Sequence, residues 1–116
     1  MQSEKKDNVI VKLTFQFALE IISFTENLEQ LRKYNLANQL FRSGTSIGAN
    51  VREAQGCESK ADFIHKMKLA YKEAEETSYW LELCSKSENY PEPAKLLEDI
   101  VSILKILGKI ISSSRS

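Results

Sequence analysis

Gly44-Thr45-Ser46-Ile47-Gly48 fits the G-x-S-x-G pattern, in which a sharp strand-to-helix turn presents a serine hydroxyl to an ester or amide carbonyl. That chemistry also needs a base to take the serine proton, an acid to orient the base, and N–H donors for the oxyanion. His65 is the one imidazole in the chain. The residues around Ser46 repeat at helical spacing, so it lacks the strained turn and the oxyanion donors, and no catalytic serine is expected. Asp62 and His65 stand three apart, the spacing of a carboxylate and imidazole ligand pair in di-iron bundles. Such a centre needs the pair twice and further inward carboxylates, whereas the apolar stripes offer only Glu20, near a flank. No metal site, no cofactor and no enzymatic activity are therefore expected, and His65, beside Lys66 and Lys68, reads as a surface residue on a basic face. Cys57 and Cys84 lie at opposite ends of one predicted helix, about 27 residues and so about 40 Å apart, too far to bridge within one chain. Cys84 reads as a small core residue and Cys57 as an exposed thiol in a turn.

On a helix the same small residues do something else. Gly44 and Gly48 make a small-xxx-small pair that lets another helix approach closely, although each Gly costs about 1 kcal/mol relative to Ala. Ser43, Ser46 and Asn50 follow at steps of three and four and share one edge, where Asn50 is placed to hydrogen-bond a neighbouring helix or a bound phosphate. A buried packing network is the favoured reading, because buried polar groups need partners.

Periodicity predicts the elements that position these residues. Ile10, Leu13, Phe17, Ile21, Phe24, Leu28 and Leu31 form the stripe of a helix over about 7–33. Leu36, Leu40, Gly44, Ile47, Val51 and Ala54 mark a second helix over 36–55, with Asn35 as N-cap and Gly56 as its stop. A capping-box-like Ser59–Asp62 pair opens a third over 59–88, with Phe63, Met67, Ala70, Ala74, Thr77, Leu81 and Cys84 at heptad a/d spacing. Pro91 and Pro93 precede a fourth over 93–113, whose stripe is Ala94, Leu97, Val101, Leu104, Gly108 and Ile111. The expected fold is all-α: one domain, 1–116, folded as an antiparallel up-down-up-down four-helix bundle.

Apolar content of 42% with 28% charged residues is that of a soluble globular chain rather than a disordered or fibrous one. The apolar stretches are broken by Lys12, Gln16 and Glu20 and by Ser102, Lys105 and Lys109, so no membrane span is expected, and the start MQSEKKDN lacks the apolar core of a signal peptide. A cytoplasmic location follows from that reading. The fourth helix carries a second stripe, Leu96, Ile100, Ile103, Leu107 and Ile110, and the first carries Phe15, Ala18, Leu19 and Ile22. Both exceed one bundle seam, so a homo-oligomer is expected, with Ile103 and Leu107 at the interface beside Gly44, Ser46, Gly48 and Asn50 as helix-packing residues.

The formal net charge of zero hides a polarity. Residues 1–14, 49–72 and 103–116 hold eleven Lys or Arg and five Asp or Glu, and the remainder holds five and eleven. In the expected bundle these three segments share one pole, which becomes a phosphate-binding surface with Arg52, Lys60, Lys66, Lys68, Lys105 and Lys109 as the contact candidates. With no base-stacking aromatic platform, such contacts are insensitive to base sequence. The acidic end, with Glu73, Glu75, Glu76 and Glu82, offers the competing role of a protein-interaction adaptor for a basic partner.

Arg42-Ser43-Gly44-Thr45-Ser46-Ile47-Gly48-Ala49-Asn50, Glu53-Ala54-Gln55-Gly56, Lys60-Ala61-Asp62-Phe63, Lys66-Met67 and Glu76-Thr77-Ser78-Tyr79-Trp80-Leu81 closely resemble the four-helix-bundle proteins encoded in intervening sequences of bacterial 23S rRNA genes. The resemblance covers nearly the whole chain. It implies a homopentameric barrel of antiparallel bundles without catalytic residues. It also implies kinship with the accessory protein of diversity-generating retroelements, and hence RNA or DNA and a nucleic-acid enzyme as partners.

Overall fold

The computed structural model describes the backbone of residues 2–115 and the side chains of residues 9–115. Within them lie four helices and no strand: α1 (Gln2–Gln30), α2 (Tyr34–Ala54), α3 (Lys60–Lys86) and α4 (Ala94–Arg115). Each helix packs on its neighbours in sequence, and α4 returns to close the ring against α1. Pairings across the seams fix the directions. Gly44 faces Ile21 and Gly48 faces Thr14; Arg42 reaches Glu76 while Glu53 reaches Lys66; Gly108 approaches Tyr71; Lys95 holds Glu20. Rising numbers on one helix meet falling numbers on the next, so the bundle is up-down-up-down, 45 Å long and about 20 Å across.

The helix ends show local causes. The α1 stop is a Schellman turn: Lys33 N donates to Leu28 O (2.8 Å) and Arg32 N to Glu29 O (2.9 Å), with Arg32 left-handed at φ 64° where glycine is usual. This ends α1 three residues before the expected Lys33. The next helix then starts at Tyr34 with Lys33 as an N-cap that makes no side-chain bond, so Asn35 is the second helical residue rather than the cap. Gly56 is not a left-handed stop either. The α2 end tightens instead, Gln55, Gly56 and Cys57 donating to carbonyls three residues back. Ser59, by contrast, caps α3 through its Oγ, which accepts from Asp62 N at 3.0 Å.

Ile10, Phe17, Ile21, Leu28, Leu40, Ile47, Val51, Met67, Ala70, Ala74 and Leu81 are buried in the core. Two threonines join them where leucine and phenylalanine were expected. Thr14 and Thr25 are buried, with their hydroxyls donating to Ile10 O and Ile22 O, while Leu13 and Phe24 are half-buried and Leu31 is exposed. Thr14 is small enough to sit beneath Gly48, whose Cβ would lie 3.2 Å from the Thr14 carbonyl oxygen.

The fourth helix reverses the expected roles of its two stripes. Leu96, Ile100, Ile103 and Leu107 are the buried set, whereas Val101 is about half exposed and Leu97, Leu104 and Ile111 are half-buried. Ile103 and Leu107 have no accessible surface at all, so they belong to the monomer core and not to an interface. Both stripes have helical spacing; which one turns inward is decided by where α1 and α3 lie.

Candidate functional site

The start of α1, the end of α2, the start of α3 and the end of α4 meet at one end of the bundle, the pole where sequence places the excess of Lys and Arg. The six candidate cations encircle that pole rather than gather on one patch. Arg52, in the last turn of α2, holds its guanidinium 5.4 Å from the centre of the Phe15 ring on α1, a cation–π stack that fixes the charge on that side. Lys60 opens α3 and is exposed. Lys66 is not free: its Nζ lies 2.7 Å from Glu53 Oε1, and the hydrogen bond to that carboxylate, then its charge, raises the lysine pKa. Lys68 projects between α3 and α4, and Lys105 and Lys109 are exposed on α4. His65 is exposed, and among the described residues no group of three or more His, Cys, Asp or Glu is gathered to hold a metal ion. Lys72 and Arg115, cations of the basic segments outside the six contact candidates, share a groove with Lys68; the step of four from Lys68 to Lys72 puts those two lysines on one face of α3, and Arg115 reaches the groove from α4.

The small-residue face of α2 lies against α1. A Cβ on Gly44 would meet Ile21 Cγ1 at 2.8 Å and Cγ2 at 2.9 Å, and the Gly48 contact is with Thr14 backbone. Of the polar edge beside it, only Ser43 crosses to another helix, bonding the Thr77 hydroxyl at 2.9 Å in the core. Ser46 Oγ donates to Arg42 O and Asn50 Nδ2 donates to Ser46 O, both within α2. Neither therefore belongs to an inter-helix network, because each finds a carbonyl one turn back on its own helix.

Beside this face runs an apolar groove of about 490 Å³ between α1 and α2, with Val11, Phe15, Ala18, Leu19, Ile22 and Phe41 along it. Phe15, Leu19 and Phe41 are each about half exposed. Of the surplus stripe on the first helix, Phe15 and Leu19 are thus on the surface, while Ala18 and Ile22 are half-buried.

Toward the acidic end, Arg42 pairs with Glu76 and lies 3.9 Å from Glu73, while Trp80 Nε1 donates to Glu76 at 3.1 Å. Glu73 and Glu76 are turned toward α2 by that arginine. Glu75 and Glu82, seven residues apart, share a different, exposed edge of α3, so the four glutamates do not make a single face. No described helix is long and apolar enough to cross a membrane.

Comparison with known proteins agrees with this architecture. A family model described as 23S rRNA-intervening sequence protein matches residues 6–109. A crystal structure of a protein of unknown function from the S23 ribosomal protein family of Bacteroides thetaiotaomicron superposes with a TM-score of 0.84 at 40% identity, covering 89% of this chain and 98% of that one. No curated protein matches.

Proposed function

Since the chain belongs to the 23S rRNA-intervening sequence protein family, we propose that it is a non-enzymatic cytoplasmic scaffold that assembles with copies of itself, as a homopentamer, and holds RNA or DNA weakly through its basic pole. The separation of charge along the bundle carries this reading: the three segments that meet at one pole hold eleven cations against five carboxylates. Cations spread around the pole suit a phosphate backbone, which is recognised by charge wherever it passes, better than they suit a single shaped ligand. Assembly draws its support from the exposed apolar groove between α1 and α2 rather than from Ile103 and Leu107.

Salt-titrated binding to structured RNA and to duplex DNA tests the nucleic-acid reading. Affinity falls with salt along a log–log slope of about −0.9 per phosphate neutralised, and Lys60→Ala, Lys105→Ala or Lys109→Ala each lowers that slope by about one. No binding at low salt refutes it. Light scattering tests assembly: Phe15→Glu with Leu19→Glu gives smaller species, and a parent protein that is monomeric at micromolar concentration refutes it. A second reading, an adaptor for a nucleic-acid enzyme, is favoured by the exposed Glu75–Glu82 edge. A stoichiometric protein partner that survives nuclease treatment supports it, and loss of every partner on nuclease treatment counts against it.

A further inference from the structure

The groove between α3 and α4 at the basic pole differs in kind from the other concavities of the bundle. It is an open groove of about 650 Å³, within the size range of small-molecule sites, lined by His65, Lys68, Leu69, Tyr71, Lys72, Gly108, Ile111, Ser112 and Arg115. Two lysines, an arginine and an imidazole stand on its walls and no carboxylate does, whereas the α1–α2 groove sets Glu53 beside Arg52, the one beside Lys95 includes Glu20 and Glu92, and those at Phe63–Ile106 and Leu36–Trp80 carry no Lys, Arg, Asp or Glu. Its apolar surface comes from Leu69, Tyr71 and Ile111, all half-buried. From His65 to Lys72 it runs about 10 Å along α3, the length of one nucleotide or a medium acyl chain.

Gly108 keeps the groove open. In the α4 stripe Leu97, Val101, Leu104, Gly108 and Ile111 it is the one position without a side chain. Packing does not demand that absence, since an added Cβ would meet only Tyr71 Cε2, at an ordinary 3.6 Å. This contrasts with Gly44 and Gly48, where neighbouring atoms already fill the space. A helix-interior glycine that no neighbour requires leaves room for something else.

We propose that this groove binds a small amphipathic organic anion, with its apolar body on Leu69, Tyr71 and Ile111 and its anionic head between Lys68, Lys72 and Arg115. The charge pattern selects an anion, and the apolar floor favours one that carries an apolar body over a simple inorganic ion. The site does not rest on the nucleic-acid reading: Gly108→Leu fills the groove and leaves every charge of the pole in place.

Anilinonaphthalene sulfonate, an aromatic anion, is the probe. The native protein is expected to bind it saturably, one per protomer, with enhanced fluorescence. Gly108→Leu abolishes this binding with helicity unchanged, and Lys68→Glu or Lys72→Glu weakens it about tenfold each, the size of one charge-assisted hydrogen bond. If Gly108→Leu does not fold, Ser112→Trp closes the groove from its exposed wall and makes the same test. Competition separates the ligand sources: displacement by dodecanoate identifies an acyl anion and displacement by adenosine monophosphate a nucleotide. Displacement by neither, or unchanged probe affinity in a folded groove-filling variant, overturns the proposal.

Discussion

Gly44→Ala sets two opposing effects against each other at one atom. Replacing a helix-interior glycine by alanine gains about 1 kcal/mol of backbone propensity. Against this, the new methyl would lie 2.8 Å from Ile21 Cγ1 and 2.9 Å from Cγ2, where real carbons need roughly 3.5 Å or more. Ile21 has no exposed surface, and a single χ1 angle fixes both γ carbons, so the side chain has no room to swing aside. The remaining way out is to push α1 and α2 apart, an overpacking cost of about 1–3 kcal/mol. The net expectation is a loss of about 0–2 kcal/mol, centred near 1, read as a fall in Tm of roughly 4–8 °C per kcal/mol for a domain near this size. Gly108→Ala is the internal control: its contact is ordinary, so it should raise Tm by the propensity gain. Ile21→Ala removes both clashing γ carbons, and with them Cδ1 at 3.1 Å, and on its own costs about 2–5 kcal/mol. In the double variant Gly44→Ala should lose its penalty, giving a favourable coupling of about 1 kcal/mol or more. Thermal unfolding followed by circular dichroism measures all four. Equal stabilisation by Gly44→Ala and Gly108→Ala, with additive double-variant effects, would refute the close approach of α1 and α2.

Ile103→Glu places an unpaired carboxylate in a site with no accessible surface, so it should cost more than about 4 kcal/mol and abolish cooperative unfolding rather than yield a folded smaller species. Arg32→Gly relieves a left-handed arginine in the Schellman turn and should raise stability by about 0.5–1 kcal/mol in urea unfolding. Burial, and secondarily Glu92, pushes the Cys84 thiol up from 9.0 to about 11, so the fold favours the neutral thiol. The stability this gives is full below pH 9 and is lost as pH rises from 9 toward 11, and Cys84→Ala should flatten that decline in the pH dependence of urea midpoints.

The third helix was the most legible in sequence. Its a/d series is uninterrupted, polar residues fill most of the other positions and Ser59 supplies a side-chain cap, so pattern, packing and local chemistry agree. The fourth was not, because two adjacent stripes share the same spacing. Periodicity gives angles between residues and leaves open which way the helix is rotated on its axis. Arg32 hid the end of α1, since left-handed stops are sought at glycine or asparagine. Asn50 and Ser46 misled for another reason: a polar residue on a helix can satisfy itself one turn back, and spacing does not distinguish that from a bond to a neighbour. Summed charge located the basic pole, yet the distribution of Arg52, Lys66 and Lys68 around its circumference required the helices in place.

The ring of helices also has a kinetic meaning. Three of its four seams join helices adjacent in sequence, across connections as short as residues 31–33, so most native contacts close small loops. The fourth seam, α1 with α4, joins residues such as Glu20 and Lys95, 75 positions apart. A chain wired this way has low contact order and folds on the microsecond-to-millisecond scale of helical bundles. The sparse seam where Lys95 bridges Glu20 and Asp99 should therefore be the last to form and the first to open, and amide exchange at the core-facing residues of α1 and α4 checks this.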